Sequence, residues 1–127
     1  MSDILNELVS IEEACSKAFN QRNLPEILKY FSDDISGFSS TKHDLFKGKG
    51  ELQKTFEHYL SGAEEVSYSI RHPEVIELGD IAIMSFYWKV ALKNSEKVIE
   101  IPGRGSHVYS RINGEWKIVH EHFSRAH

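Results

Sequence analysis

The spacing of apolar residues changes from a helical period to a period of two at about Glu65, and no other feature of the sequence constrains the fold as strongly. From there on, alternating apolar and polar residues predict four strands, over residues 65–78, 81–93, 97–112 and 115–124. Turn-forming dipeptides separate them at Gly79-Asp80, Asn94-Ser95 and Asn113-Gly114. The Asn113-Gly114 dipeptide is the strongest turn signal of the three, because Asn-Gly between two alternating runs is typical of a tight hairpin. The second half of the chain is therefore predicted to be an antiparallel meander.

Upstream of this change, apolar residues recur every three or four positions, as they do along one face of a helix. A first helix is predicted over residues 4–19, a short second one is begun by Asn23 and Pro25, and a third lies between residues 48 and 62. Helices followed by a meander predict a single α+β domain over residues 1–127. In that domain three N-terminal helices pack on one face of a strongly curved, mostly antiparallel sheet.

Smaller features complete this prediction. The Asp33-Asp34 pair is expected to end the second helix, a short strand to cover residues 35–40, and a weak one to follow near Leu45-Phe46. Pro73 interrupts the first long strand and predicts a bulge or an edge there, because proline cannot donate a ladder hydrogen bond.

Composition excludes several classes of function. A net charge of −4 argues against nucleic-acid binding, which needs a basic surface. The longest apolar run, residues 81–88, is far too short to span a bilayer, so no membrane association is expected. The single cysteine, Cys15, cannot form an internal disulfide, and the expected location is the reducing cytoplasm.

The segments YFSDDISGFSS, ELGDIAIMSFYWKV and NGEWKIVHEHFS, in that order, resemble the SnoaL-like branch of the nuclear transport factor 2-like superfamily. The terminal W-x-I-V-H-x-H-x-S is also similar to the association domain of calcium/calmodulin-dependent protein kinase II. The resemblance covers nearly the whole chain. It implies a cone-like α+β barrel, a pocket between the helices and the concave sheet, and usually a homodimer built on the outer face of the sheet. It implies no single activity, because this scaffold carries isomerases, cyclases, dehydratases and assembly modules.

Two stretches depart from relatives on this fold. Ketosteroid isomerases have a general-base aspartate shortly after the acidic pair that precedes the first strand, whereas the comparable residues 37–40 here are Gly-Phe-Ser-Ser. A hydroxyl does not replace a carboxylate as a base without an activating partner, so steroid isomerase activity is not expected. The kinase association domain has pocket arginines on its last two strands, and the matching positions here hold His107 and Phe123. Carboxylate capture of that kind is not expected either.

A two-residue turn at Asn113-Gly114 also predicts how the last two strands pair. On that register His107 faces His120, with Cβ atoms close enough for the two imidazoles to touch. The side chains on one face of the hairpin are then Arg111, Tyr109, His107, Trp116, Ile118, His120 and His122. Glu121 points to the opposite face unless a bulge intervenes.

Three neighbouring imidazoles are compatible with binding a divalent metal, passing a proton, or simply adding polarity to a pocket wall. No carboxylate on that face is an obvious fourth ligand, so no metal site is predicted. If the protein is an enzyme, His107 and His122 are the predicted catalytic proton carriers, with Tyr59 or Tyr68 as a hydrogen-bond donor.

The leading hypothesis is a small-molecule pocket protein that works without a cofactor, forms a homodimer and acts, if at all, by acid–base chemistry on an apolar or aromatic substrate. The residues predicted to line the pocket are Tyr30, Phe38, Phe56, Tyr59, Tyr68, Trp88, Tyr109, Trp116 and His120. The competing hypothesis is a non-catalytic module for ligand sensing or assembly.

Overall fold

The computed structural model describes residues 3–125. Its helices are α1 (Ile4–Asn20), α2 (Leu24–Leu28) and α3 (Gly48–Leu60). Its strands are β1 (Phe31–Phe38), β2 (Phe46–Lys47), β3 (Glu65–Leu78), β4 (Ile81–Asn94), β5 (Lys97–Ile112) and β6 (Glu115–Arg125). They form one curved, unclosed sheet in the order β2-β1-β6-β5-β4-β3, antiparallel except for the β1–β6 pair. The predicted α+β class, with N-terminal helices on a curved, mostly antiparallel sheet, is confirmed.

The concave face of this sheet forms the core together with the helices. Alternate residues of β4 are buried, and these are Ala82, Met84, Phe86, Trp88 and Val90. Helix α1 covers them with a stripe at a spacing of three or four, which comprises Leu8, Glu12, Cys15 and Phe19. The outer face of the sheet remains open to solvent in the single chain, as the exposed Tyr87 of β4 shows.

Side chains fix the ends of the helices. Arg22 adopts φ 60° just after α1, and Asn23 N–H donates to the carbonyl of Ala18, which closes the end of the helix. The Arg22 guanidinium donates to the carbonyls of Leu60 at 2.6 Å and Ala63 at 2.8 Å, so one residue ties the ends of α1 and α3 together. In residues 3–125, none of the helices has the length and apolar character that crossing a membrane requires.

The region around β1 differs from the prediction. Helix α2 ends at Leu28, and Asp33-Asp34 lies inside β1 rather than ending the helix. The pairing of β1 with β6 is irregular between Phe31 and Ser36, so both carboxylates stay exposed in that bulged stretch while its flanking residues pair with β6. The strand therefore starts earlier than the sequence indicated.

One predicted bulge and one predicted turn are confirmed. The β3–β4 register shifts between Arg71 and Glu74, which is the bulge expected at Pro73. Asn113 and Gly114 have φ values of 52° and 81°, as a tight hairpin turn of this type requires, and Ile112 pairs with Glu115 across it.

Candidate functional site

A cavity of about 60 Å³ lies between the concave face of the sheet and helices α1 and α3. Aromatic rings provide much of its wall, and these are Phe19, Phe56, Tyr59, Tyr68, Trp88 and Phe123. Since one water needs about 10–15 Å³ of such volume, the cavity holds a molecule of about four to six non-hydrogen atoms. Apolar walls with a few polar groups are typical of small-molecule sites.

Three elements bring ionisable side chains to this wall. Glu12 projects from the buried stripe of α1, His107 from the inner face of β5, and Glu121 from the neighbouring position on β6. Their exposed fractions are 0%, 3% and 5%, so all three are shielded from water. Because charged groups are rarely buried unless they are paired, this cluster needs a specific explanation.

Glu121 reaches the inner face because β6 contains a β-bulge at Val119. Tyr109 pairs with Ile118, but Val108 pairs with His120, so β6 has one residue more than β5 over this step. From there on the register places Glu121, and not His120, opposite His107. The predicted pairing of His107 with His120, and the shared face of the three histidines, are therefore wrong.

The imidazole of His107 bridges the two carboxylates. Its Nδ1 lies 2.5 Å from Glu12 Oε2, and its Nε2 lies 2.9 Å from Glu121 Oε1. Since carboxylate oxygens accept hydrogen bonds, the ring donates from both nitrogens and is an imidazolium. The Tyr109 hydroxyl donates to the same oxygen of Glu12. Glu12 is thus held by two donors that reach it from β5.

The carboxylates determine the protonation of this cluster. Burial lowers the pKa of His107, but the charge of Glu12, the hydrogen bonds to both carboxylates and the charge of Glu121 outweigh burial and raise that pKa to about 10. Burial and the charge of Glu12 raise the pKa of Tyr109 well above its usual value, so its phenol stays a donor. One imidazolium and two carboxylates leave a net charge of −1 on the cluster.

One oxygen of the cluster is left without a partner. Within residues 3–125, Glu12 Oε1 is buried and has no hydrogen bond, although Glu12 Oε2 accepts two. A buried acceptor without a donor costs about 1–3 kcal/mol, or more when it is charged. Glu12 is one of the residues that line the cavity, so this side chain lies beside whatever the cavity binds.

The raised pKa of His107 predicts a stability that falls as the pH rises. Between the unfolded value of about 6.5 and the folded value of about 10, the native state holds one proton that the unfolded state has lost. The full contribution is therefore present below about pH 6.5. The free energy of unfolding should decrease by about 2 kcal/mol between pH 7 and pH 8.5 in urea titrations. A His107→Gln variant should lose this slope, and a wild-type stability that is flat over this interval would contradict the prediction.

Several residues predicted for the site line this cavity. The predicted pocket residues among them are Phe56, Tyr59, Tyr68 and Trp88, and His107, which was predicted as a proton carrier, lines it as well. Hydrogen bonds fix three of them: the Tyr59 hydroxyl lies 2.8 Å from Ser40 Oγ, Tyr68 N–H donates to Asn20 Oδ1 at 2.7 Å, and Trp88 Nε1–H donates to the carbonyl of Arg104 at 2.9 Å.

Other predicted residues lie on the outer face of the sheet, and the bulge at Val119 places two of them, His120 and His122, there. His120 Nδ1 lies 3.1 Å from Ser36 Oγ, and the ring of His122 lies 5.2 Å from that of Phe38. His122 is exposed, and none of His120, His122 and Phe38 lines the cavity. The side chains of His120 and His122 thus lie on the opposite face of the sheet from that of His107.

The remaining predicted residues lie inside the fold but beside the cavity. Tyr109 is fully buried and acts through Glu12, as described above. Trp116 donates from Nε1 to Glu7 Oε1 at 3.1 Å, and Tyr30 is half-buried against the core. These three side chains are not part of the cavity wall.

Glu12 and Glu121 are the site residues that the sequence-based prediction missed. Glu12 lies four residues after Leu8 and three before Cys15, so a charged residue occupies a core position of an apolar helical stripe. That mismatch could have identified Glu12 as a buried site residue. The sequence gives no such signal for Glu121, because a regular strand would place its side chain on the outer face of the sheet.

The cluster is not arranged as a metal site. Across residues 3–125, no group of three or more His, Cys, Asp or Glu side chains is placed to hold a metal ion. Both nitrogens of His107 already donate to carboxylates, so neither offers a lone pair.

Comparison with known families identifies relatives of this architecture. The model of the SnoaL-like domain matches residues 10–127. None of the curated proteins matches the chain.

Solved structures share the fold over nearly the whole chain. A protein of unknown function from Pseudomonas putida KT2440, described as like nuclear transport factor 2 (NTF2), is 25% identical, with a TM-score of 0.84 over 98% of this chain and 88% of that one. An NTF2-like protein from Streptomyces avermitilis, provisionally assigned as a dehydratase, is 13% identical, with a TM-score of 0.83 over 96% and 95% of the two chains. The association domain of CaMKII from C. elegans is 17% identical, with a TM-score of 0.78 over 94% and 93%. At such identities the last two show the fold alone.

Proposed function

Because the chain belongs to the SnoaL-like domain family, we propose that it binds a small, largely apolar molecule in its cavity and isomerises, cyclises or dehydrates it without a cofactor. One observation carries this proposal: the unpartnered Oε1 of buried Glu12 on the cavity wall, beside a fixed imidazolium. A carboxylate held in a water-poor, apolar site next to a fixed cation is suited to act as a general base.

The proposed chemistry assigns a separate role to each group. Glu12 Oε1 takes a proton from a C–H beside a carbonyl group of the substrate, and the electron pair of that bond forms a C=C bond while the π pair of the carbonyl moves onto its oxygen. In an isomerisation the carbonyl re-forms, its neighbouring double bond shifts, and the proton returns to another carbon. In a dehydration the carbonyl re-forms as the C–O bond of a β-hydroxyl group breaks, and the hydroxide takes the proton and leaves as water. In a cyclisation the carbon pair attacks a second carbonyl of the same molecule, whose oxygen takes the proton. His107 and Tyr109 position Glu12 through its other oxygen, and Glu121 holds the far edge of the imidazole ring.

This proposal alters the roles inferred from the sequence. His107 becomes a positioning residue, because both of its nitrogens are occupied by carboxylates. Proton transfer moves to Glu12. His122 has no part in it, since it is exposed on the outer face of the sheet.

Replacing the proposed base should abolish proton exchange with a substrate. Small ketones, aldehydes and hydroxy compounds of up to about six non-hydrogen atoms can be incubated with the protein in D₂O. Exchange of C–H for C–D is then followed by ¹H NMR. We expect Glu12→Gln to slow the exchange of an accepted compound by about 10²–10⁴-fold, because general acid–base catalysis typically contributes that much.

Glu13→Gln is the matched control, because Glu13 is the next residue of α1 but is exposed. It should exchange at the wild-type rate. Equal rates for wild type and Glu12→Gln, or an accepted compound whose exchange is lost equally in both variants, would refute the role of Glu12.

A homodimer is the second part of the proposal. Ile76, Leu78 and Tyr87 lie on the outer face of the sheet with 60%, 59% and 55% of their surface exposed, and apolar anchors of this kind favour a protein interface. Light scattering after size-exclusion chromatography should give a dimer. A monomer would contradict this, and a larger ring would favour the alternative of an assembly module.

A further inference from the structure

We propose that the cavity selects molecules that carry a positively charged nitrogen on a short apolar body, that is, small alkylammonium compounds. This inference rests on the binding half of the proposed function, because it concerns the same cavity. It names a class of ligand that occupies Glu12 Oε1 and therefore competes with the substrate for the proposed base. Three features of the wall support it independently: its charge, its unpartnered acceptor and its rings.

The charge of the wall is not balanced. Glu12 and Glu121 contribute two negative charges and His107 one positive charge, and among residues 3–125 neither a lysine nor an arginine lines the cavity. A buried charge without a counter-ion is costly. A cationic ligand would bring the total to zero, whereas a carboxylate ligand would raise the negative charge to −2.

The unpartnered oxygen specifies a donor. As a carboxylate oxygen, Glu12 Oε1 accepts hydrogen bonds and cannot donate one. The other oxygen, Glu12 Oε2, already accepts hydrogen bonds from His107 and Tyr109. An ammonium group has three N–H donors and no acceptor, so it can donate to Oε1 without burying an unsatisfied acceptor of its own.

Aromatic rings surround the rest of the cavity. Phe123 stacks on Trp88 with centroids 5.5 Å apart and on Tyr68 at 6.3 Å, and Phe19 meets Tyr68 edge-on at 5.9 Å. These rings line the cavity together with Glu12. Aromatic rings attract a cation that lies over a ring face, and they also accept the apolar body of a ligand. The wall thus combines a carboxylate with aromatic rings.

The test compares ligands of nearly equal shape and different charge. Isobutylammonium, isobutanol and isobutyrate each fit the limit of about four to six non-hydrogen atoms. Each is titrated at pH 7 while the Trp88 indole N–H resonance is followed by ¹H–¹⁵N NMR. We expect isobutylammonium to bind at least about tenfold more tightly than isobutanol, and isobutyrate not to bind.

The outcomes separate this inference from the function on which it rests. If isobutanol binds as tightly as isobutylammonium, the selection of a cation is refuted while the cavity remains a ligand site. If isobutyrate binds best, the charge argument is refuted as well. If none of the three shifts the indole resonance, both the inference and the proposed binding of small molecules fail.

Variants test whether the carboxylates cause the preference. Glu12→Gln makes the cluster neutral and should remove the tenfold preference for the ammonium while isobutanol still binds. Glu121→Gln provides a second route to the same neutral cluster if the first variant does not fold. Glu13→Gln, on the exposed side of α1, should keep the preference. A preference that survives both neutralising changes would overturn the inference.

Discussion

Replacing His107 with leucine is expected to cost about 3–5 kcal/mol of stability, because it leaves two buried carboxylates facing each other without a cation. Both carboxylates are at most 5% exposed, so water cannot solvate them in place of the imidazolium. In urea denaturation at pH 7 the midpoint should fall by about 1 M or more, given slopes of about 1–3 kcal/mol per molar. The control is His43→Leu at a fully exposed histidine, which should change stability by less than about 0.5 kcal/mol.

A compensating variant shows whether charge is the cause. Combining His107→Leu with Glu12→Gln and Glu121→Gln removes every charge of the cluster with little change in volume. Because neutral replacement of a buried ion pair is often tolerated, this triple variant should recover at least about half of the lost stability. If the triple variant is no more stable than His107→Leu, the loss comes from packing around the ring rather than from unpaired charge.

Gly37→Ala should destabilise the protein by about 3 kcal/mol, since overpacking of this severity lies at the upper end of the usual range. A Cβ atom on Gly37 would lie 2.2 Å from the carbonyl oxygen of Glu121 and 3.0 Å from the ring of Phe46. The first of these atoms belongs to the backbone of β6, where Glu121 pairs with Gly37. It cannot retreat unless the two parallel strands separate.

The effect of Gly37→Ala should also reach the cavity, because Glu121 would move with β6 and release His107 Nε2. Gly50→Ala provides the control: a Cβ there meets nothing within 4 Å, and the residue lies inside α3. Alanine favours helices, so this change should raise stability by about 0.5–1 kcal/mol. Thermal and urea unfolding measure both variants. Equal stabilities for Gly37→Ala and wild type would mean that the β1–β6 pair is not fixed by this contact.

The parts of the fold that the sequence predicts are those set by local periodicity. The meander follows from alternation along residues 65–124 and from the left-handed preference of Asn113-Gly114, and both act over a few residues. Helix α1 follows from its stripe in the same way. The bulge at Pro73 was also visible, because proline itself is the signal.

The site depends on features that no local pattern specifies. The bulge at Val119 has neither glycine nor proline to mark it, yet it decides which side chains of β6 face inward. Glu12 and His107 are 95 residues apart, so their contact becomes visible only once α1 lies across the sheet. The prediction that Asp33-Asp34 ends the second helix failed because it too depends on strand pairing. Irregular pairing with β6 allows two adjacent carboxylates to remain in solvent within a strand.

The extra residue at Val119 decides which side chains of β6 face the helices. In a regular hairpin the imidazole of His120 would stand opposite His107, and Glu121 would turn outward together with Phe123. The ion pair between Glu121 and His107 and the stacking of Phe123 on Trp88 would then both be lost. One inserted residue thus supplies the interior with its second carboxylate.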